Sequence, residues 1–291
     1  MGNFIKKQIK RRAIKLPMAI LVCALLVIGG GVAYNALALS GINITAPVAG
    51  VYWSGTQNIT WTADCETGDY INIQYTTGST FKTIATVVCS AYKYNWNTIS
   101  YPESSNYQIR LYLDGQMDKN DISGVFTVDN TDPTSQTGSL TEYQTTATFN
   151  IAYTASDTLS GVDYVELYYN KNGVGFVKYG TTFTTSPISF DSSTTGGDGS
   201  YEFYTIAVDN AGNIEEAPVS ADASTIVDTI LPTITNITSD KANGSYTVGE
   251  EIDIDVTFSE IVTSTGDITV TLNTDGTCVI SQIDTAINVK S

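Results

Sequence analysis

From about residue 41 onward the apolar side chains recur at every second position in short runs, without the spacing of three and four that a helix face requires. A period of two sends alternate side chains to opposite faces of an extended chain, so each run reads as a half-buried strand. In the run 57–63, Ile59, Trp61 and Ala63 share one face while Asn58, Thr60 and Thr62 share the other. Runs at 70–75, 81–88, 92–96, 107–113 and 123–128 follow, separated by Gly, Asn and Asp. One sheet cannot bury its own apolar face, so about six strands in roughly 90 residues predict an all-β, two-layered sandwich. Trp61 belongs to its core by phase with Ile59, and Trp96 by its place in the strand Tyr94-Asn95-Trp96.

A linker, Asp129-Asn130-Thr131-Asp132-Pro133-Thr134, interrupts the pattern, and the same spacing then starts again. The second set of runs covers 146–153, 163–170, 175–181, 188–191, 201–209 and 223–227, with Gly173-Val174-Gly175 as a hairpin turn. A second linker, Asp228-Thr229-Ile230-Leu231-Pro232-Thr233, opens a third segment whose clear strands are 251–258 and 268–273. The expected organisation is a sandwich over 40–130, a second over 131–229, and a partial one over 230–291. The last shows about four or five strands where a sandwich needs about seven, so it is not expected to be stable alone.

Residues 1–39 differ in kind. Six of the 14 basic groups lie in the first fifteen residues (Lys6, Lys7, Lys10, Arg11, Arg12, Lys15), and an uncharged apolar run follows over 16–39. About 20 apolar residues cross a bilayer, and a basic flank stays on the cytoplasmic side. This is an export signal that puts everything after Ser40 outside the cell. Ala36 and Ala38 fit cleavage after Ala38, and the alternative is an uncleaved signal anchor, a transmembrane helix that holds the chain on the membrane. Without residues 1–38 the chain carries eight basic against thirty acidic side chains. Such a surface repels nucleic acid, keeps an exported protein soluble and suits divalent cations. On an oxidising side of the membrane, Cys65 and Cys89, which share one expected sandwich, are the natural disulfide pair. Cys278 is left over, and Cys23 is an ordinary residue of the apolar run.

Three groups of motifs carry a resemblance. Ile44-Thr45-Ala46-Pro47, Gly50-Val51-Tyr52-Trp53-Ser54-Gly55 and Asn58-Ile59-Thr60-Trp61-Thr62 resemble the immunoglobulin-like domain of Ser/Thr-rich cell-wall proteins. Asp157-Thr158-Leu159-Ser160-Gly161-Val162, with the Tyr-rich run from Tyr201 and the turn Asp209-Asn210-Ala211-Gly212-Asn213, is similar to bacterial Ig-like and fibronectin type III-like repeats. Gly244-Ser245-Tyr246-Thr247-Val248-Gly249 and Val256-Thr257-Phe258-Ser259-Glu260 are similar to the opening half of repeats in large surface-layer proteins. The resemblance implies tandem immunoglobulin-like β-sandwiches at the cell surface, where such modules serve as spacers, adhesins and enzyme accessories.

The chain has no histidine, which excludes His-based hydrolase triads and His-ligated zinc. A two-carboxylate glycosidase survives that filter, yet most Asp and Glu here stand at turns, so no catalytic site is expected. The expected function is a non-catalytic structural or adhesive module. The alternative is a carbohydrate-binding accessory region of a larger secreted or cell-wall enzyme. Tyr52, Trp53 and Tyr101 are the candidate glycan platform for surface glycans, although cross-strand aromatic pairing explains the same residues structurally. Surface proteins are the other expected partners.

Calcium is the one expected cofactor. In an immunoglobulin-like sandwich the entering chain lies at the end that carries the loops after the second and sixth strands. The expected ligands are therefore Asp129 and Asp132 of the linker with Asp157, Asp209, Asn210 and Asn213. The competing explanation is that Asp209, Asn210, Gly212 and Asn213 merely satisfy a tight turn.

Overall fold

The computed structural model describes residues 41–271, 277–280 and 287–290, so the expected export segment at 1–39 lies outside the described residues. The chain divides into two compact units, one up to Asn130 and one from Thr131 onward. Nine strands build the described part of the first: β1 (Asn43–Ala46), β2 (Tyr52–Trp53), β3 (Thr56–Thr62), β4 (Tyr70–Thr76), β5 (Lys82–Val88), β6 (Lys93–Asn97), β7 (Ser104–Leu113), β8 (Gln116–Ile122) and β9 (Phe126–Val128). One layer runs β1-β3-β6 and the other β2-β9-β7-β4-β5, with β8 also beside β7. All neighbours are antiparallel except β2 and β9, which run parallel, with Thr127 N–H donating to the Val51 carbonyl and Asp129 N–H to that of Trp53.

The two layers meet on the side chains that the alternation assigned inward. Ile59, Trp61 and Trp96 of one layer pack with Ile71, Ile73, Tyr75, Tyr107, Ile109, Leu111 and Phe126 of the other. Burying each such side chain stabilises the fold by roughly 1.5–3 kcal/mol. The outer side of β4 is tied by a polar net instead. Thr86 Oγ1 donates to Asn72 Oδ1, Asn72 Nδ2 to Asp114 Oδ1, and the Arg110 guanidinium to Gln74 Oε1. Cys65 and Cys89 form a disulfide with their Cα atoms 5.7 Å apart, within the range that the bridge requires. It joins the loop after β3 to the residue after β5.

In the second unit the same plan recurs: β10 (Thr134–Thr137), β11 (Tyr143–Gln144), β12 (Thr148–Ile151), β13 (Tyr153–Ser156), β14 (Val162–Lys171), β15 (Phe176–Phe183), β16 (Ile188–Asp191), β17 (Gly199–Asp209) and β18 (Ala223–Val227). The expected run 146–153 breaks at Ala152, so β13 pairs with β10 while β12 pairs with β16. Opposite lies β11-β18-β17-β14-β15, and its entering strand β11 is again parallel to its last, β18. Phe149, Ile151, Leu167, Phe190, Tyr201 and Phe203 fill the space between. The expected hairpin turn is present: between β14 and β15, Asn172 and Gly173 take φ of 54° and 74° at the centre of a tight turn that Val174 N–H closes onto the Lys171 carbonyl.

Each sandwich carries the same lock. The Tyr107 hydroxyl donates to the Pro102 carbonyl, and the Tyr201 hydroxyl donates to the Gly197 carbonyl at 2.6 Å. Tyr107 stands early in β7 and Tyr201 early in β17, and both reach back a few residues, which is the tyrosine corner of immunoglobulin-like domains. Burial pushes the Tyr107 phenol well above its usual pKa, helped by Tyr75, Tyr101 and Glu103, so it stays a donor. Strand order, the parallel entering strand and this corner together make both units' sandwiches immunoglobulin-like.

Glu215 clamps the second sandwich. Its carboxylate accepts from Ser135 N–H at 2.7 Å, Ser135 Oγ at 2.5 Å and Ala207 N–H at 2.8 Å, joining β10 to β17. Glu215→Ala would leave two backbone donors without an acceptor and is expected to cost about 1–3 kcal/mol in urea unfolding. A loss below about 0.5 kcal/mol would show that water replaces the carboxylate freely.

The remaining strands are β19 (Ile234–Ser239), β20 (Ile254–Val262), β21 (Ile268–Thr271), β22 (Thr277–Ile280) and β23 (Ile287–Lys290). They pair as β19-β20-β23 and β21-β22. Among the described residues of this segment, Val256 and Ile280 are the buried apolar side chains, while Ile234, Ile237, Val248, Ile252, Ile261 and Val279 are exposed. Its long strand begins at Ile254, three residues later than the sequence pattern placed it, and it runs on to Val262.

Candidate cation site and aromatic side chains

Asp157 follows β13 and folds the next four residues around its own carboxylate. Oδ2 accepts from the N–H groups of Leu159 at 3.0 Å and Gly161 at 2.6 Å. Burial works to raise this carboxyl, but donation from the backbone of Gly161, Leu159, Thr158 and Ser160 outweighs it and holds the group below the usual carboxylate range. Oδ1 is buried and receives no hydrogen bond.

Asp209 ends β17 and builds the second loop. Its Oδ1 accepts from Ala211 N–H at 2.9 Å and Asn213 N–H at 2.8 Å, while Oδ2 accepts from Asn213 Nδ2 at 2.7 Å. Gly212, at φ 90°, lets the chain turn there. Asn210 stitches the two loops together: its Nδ2 donates to the carbonyls of Ser160 at 3.0 Å and Gly161 at 2.8 Å. The result brings carboxylate oxygens of Asp157 and Asp209 within 4.8 Å of one another. Two like charges at that distance repel unless a donor or a cation stands between them.

The four residues expected from this unit are thus gathered at one end of the sandwich, but with divided roles. The side-chain amide nitrogens of Asn210 and Asn213 donate to turn carbonyls and to Asp209, as the tight-turn explanation expects, while a cation would take these side chains by their Oδ1 atoms. Asp157 and Asp209 are carboxylates placed closely enough to hold a metal ion. Of the linker residues, Asp129 is buried in the first unit, its N–H on the Trp53 carbonyl, and Asp132 is exposed.

The expected glycan platform does not form as a surface. Trp53 is only 8% exposed and packs edge-on against Phe126 at 5.0 Å and Trp96 at 6.3 Å. Tyr101 is half-buried, edge-on to Trp96 at 5.1 Å and Tyr75 at 5.2 Å. Of the three, Tyr52 alone is exposed. Adjacent residues on a strand point to opposite faces, so Tyr52 and Trp53 cannot both serve one platform. Both tyrosine corners and the Glu215 clamp left no mark in the sequence, because their partners are backbone groups, and for Glu215 also the Ser135 hydroxyl, that only the fold brings near.

No protein-family model and no curated protein gives a significant match to the sequence. Among solved structures, the chain is similar to a marsupial T cell receptor at 9% identity and TM-score 0.34, covering 86% of this chain and 94% of that one. It is also similar to a Salmonella alpha-2-macroglobulin mutant at 10% identity and TM-score 0.22, covering 86% of this chain and 20% of that one.

Proposed function

We propose that this is an exported, non-catalytic cell-surface protein in which immunoglobulin-like sandwiches act as structural or adhesive modules. The observation that carries the reading is the repetition of one sandwich plan, down to the tyrosine corner, in a chain that opens with a basic and apolar export segment and has no histidine. The finer kinship, with cell-wall, bacterial Ig-like and surface-layer repeats, belongs to the same proposal, as do surface glycans or surface proteins as partners. A carbohydrate-binding role in a larger enzyme is the weaker reading, since Trp53 and Tyr101 are committed to the core. An epitope placed at the exposed residues Ile230 and Leu231 tests export. Protease added to intact cells removes it if the chain is outside, and its survival until the cells are lysed would end the proposal.

Calcium is proposed to bind at the Asp157 and Asp209 end of the second sandwich, with Asp129 and Asp132 as the further oxygen donors that the sequence argument names. The ion would relieve the carboxylate pair and take up the vacant lone pairs of Asp157 Oδ1, and calcium needs six to eight oxygens in all. At calcium a hundredfold above its Kd the fold would gain about 2.7 kcal/mol. The expected result is a melting temperature several degrees higher in millimolar calcium than in chelator, and no such difference in Asp157→Asn. Because the Asp157 carboxyl is held below its usual range, its contribution is complete above the unfolded pKa and fades as pH falls through the folded one. Identical melting of the unaltered chain with calcium and with chelator ends this part of the proposal.

A further inference from the structure

We propose that the hairpin of β14 and β15 in the second sandwich is a self-association surface that joins two copies of the chain. Val174 in its turn is 83% exposed, and Phe176 and Val177 at the start of β15 are exposed as well. Phe176 and Val177 open an edge strand, since β15 pairs with β14 and with no other described strand, and they point to its opposite sides, Phe176 to the outer face and Val177 along the open edge beside Tyr169. Behind them, on the outer face of the sheet, Tyr168 stacks on Tyr204 at 5.1 Å and Phe176 packs on Tyr204 at 4.5 Å. Lys178 pairs with Glu166 at 2.6 Å beside this cluster, so the face presents apolar rings with their neighbouring charge neutralised. An apolar patch with such a rim and an open strand edge is what a partner surface looks like before it is covered.

The occupant follows from charge. The chain beyond residue 38 carries thirty acidic against eight basic side chains, so two copies repel across most of their surface. Between 167 and 190, however, there is no acidic residue, and two of the eight basic ones, Lys171 and Lys178, fall there. The corresponding flank of the first sandwich, within 70–102, is also free of acids. A twofold contact sets each patch against its own image, and the two carboxylates on this sheet face are already bonded within it, Glu166 to Lys178 and Tyr168 and Glu202 to Asn170.

Sedimentation velocity of the whole chain in mild detergent tests the proposal. A dimer is expected in the micromolar range that strengthens as salt rises, because salt screens the repulsion between the acidic remainders. Val177→Glu and Val174→Glu put a carboxylate into both halves of the contact and are expected to weaken it about tenfold or more. Both positions are exposed, so the melting temperature should hold. Val219→Glu adds the same charge at a fully exposed position elsewhere and should leave the dimer intact. A monomer at every concentration overturns the proposal, as does a dimer that ignores Val177→Glu or that yields equally to Val219→Glu.

Discussion

Trp61→Ala is expected to destabilise the first sandwich by about 3–5 kcal/mol. Trp61 is 2% exposed, sits on β3 between β1 and β6, and its indole Nε1 donates to the Cys89 carbonyl at 3.1 Å. Truncation therefore leaves a large cavity and also removes a buried hydrogen bond. A domain of this size is stable by roughly 5–15 kcal/mol, so much of its margin goes with one side chain. Chemical denaturation followed by far-ultraviolet circular dichroism measures the loss. Trp61→Phe keeps most of the volume and loses only the donor, for an expected cost of about 1–2 kcal/mol. A loss below about 1 kcal/mol for the alanine variant would mean that β3 does not face the core as described.

Removing the Cys65–Cys89 bridge is the second large effect. The two residues are 24 apart, and closing a loop of that length stabilises by about 3 kcal/mol in the chain-entropy model. For a sandwich of this size that lowers the melting temperature by on the order of 15 °C. Replacing both cysteines with alanine avoids placing a hydroxyl at the fully buried Cys89. Calorimetry should show the first unit's transition moving down while the second unit, whose described residues hold no disulfide, melts as before. A transition that does not move, or a second transition that moves with it, would contradict a bridge confined to the first sandwich.

The strands most legible in the sequence were those with one face in the core and the other in water. β3, with Ile59 and Trp61 buried, and β16 and β18, where Ile188, Phe190 and Val227 are buried, all sit where alternation put them. β8 was invisible because it is polar and almost wholly exposed, and it belongs to the sheet through its backbone alone. The run 146–153, first of the second set, read as one strand but breaks at Ala152, since the alternation continues across the break. The carboxylate pair was legible because Asp157 and Asp209 open loops whose turn chemistry is local. The target of the Asn210 amide was not, since Ser160 and Gly161 become its neighbours only when β14 pairs with β17.

The parallel pairing of entering and departing strands has a mechanical meaning for each sandwich. In the first, β2, just after the leading strand β1, lies beside the last strand β9 and runs in the same direction, and in the second β11, just after β10, does the same with β18. Tension applied to the two ends of such a module drags the paired strands past each other along their length. Their cross-links, Thr127 and Asp129 onto Val51 and Trp53, or Ile226 and Asp228 onto Glu142 and Gln144, then bear the load together instead of opening one after another. A few short hydrogen bonds arranged in shear resist pulling far better than the same bonds arranged as a zipper. A chain tethered at one end and gripped at the other would hold its modules folded up to the force at which that small patch fails as a unit.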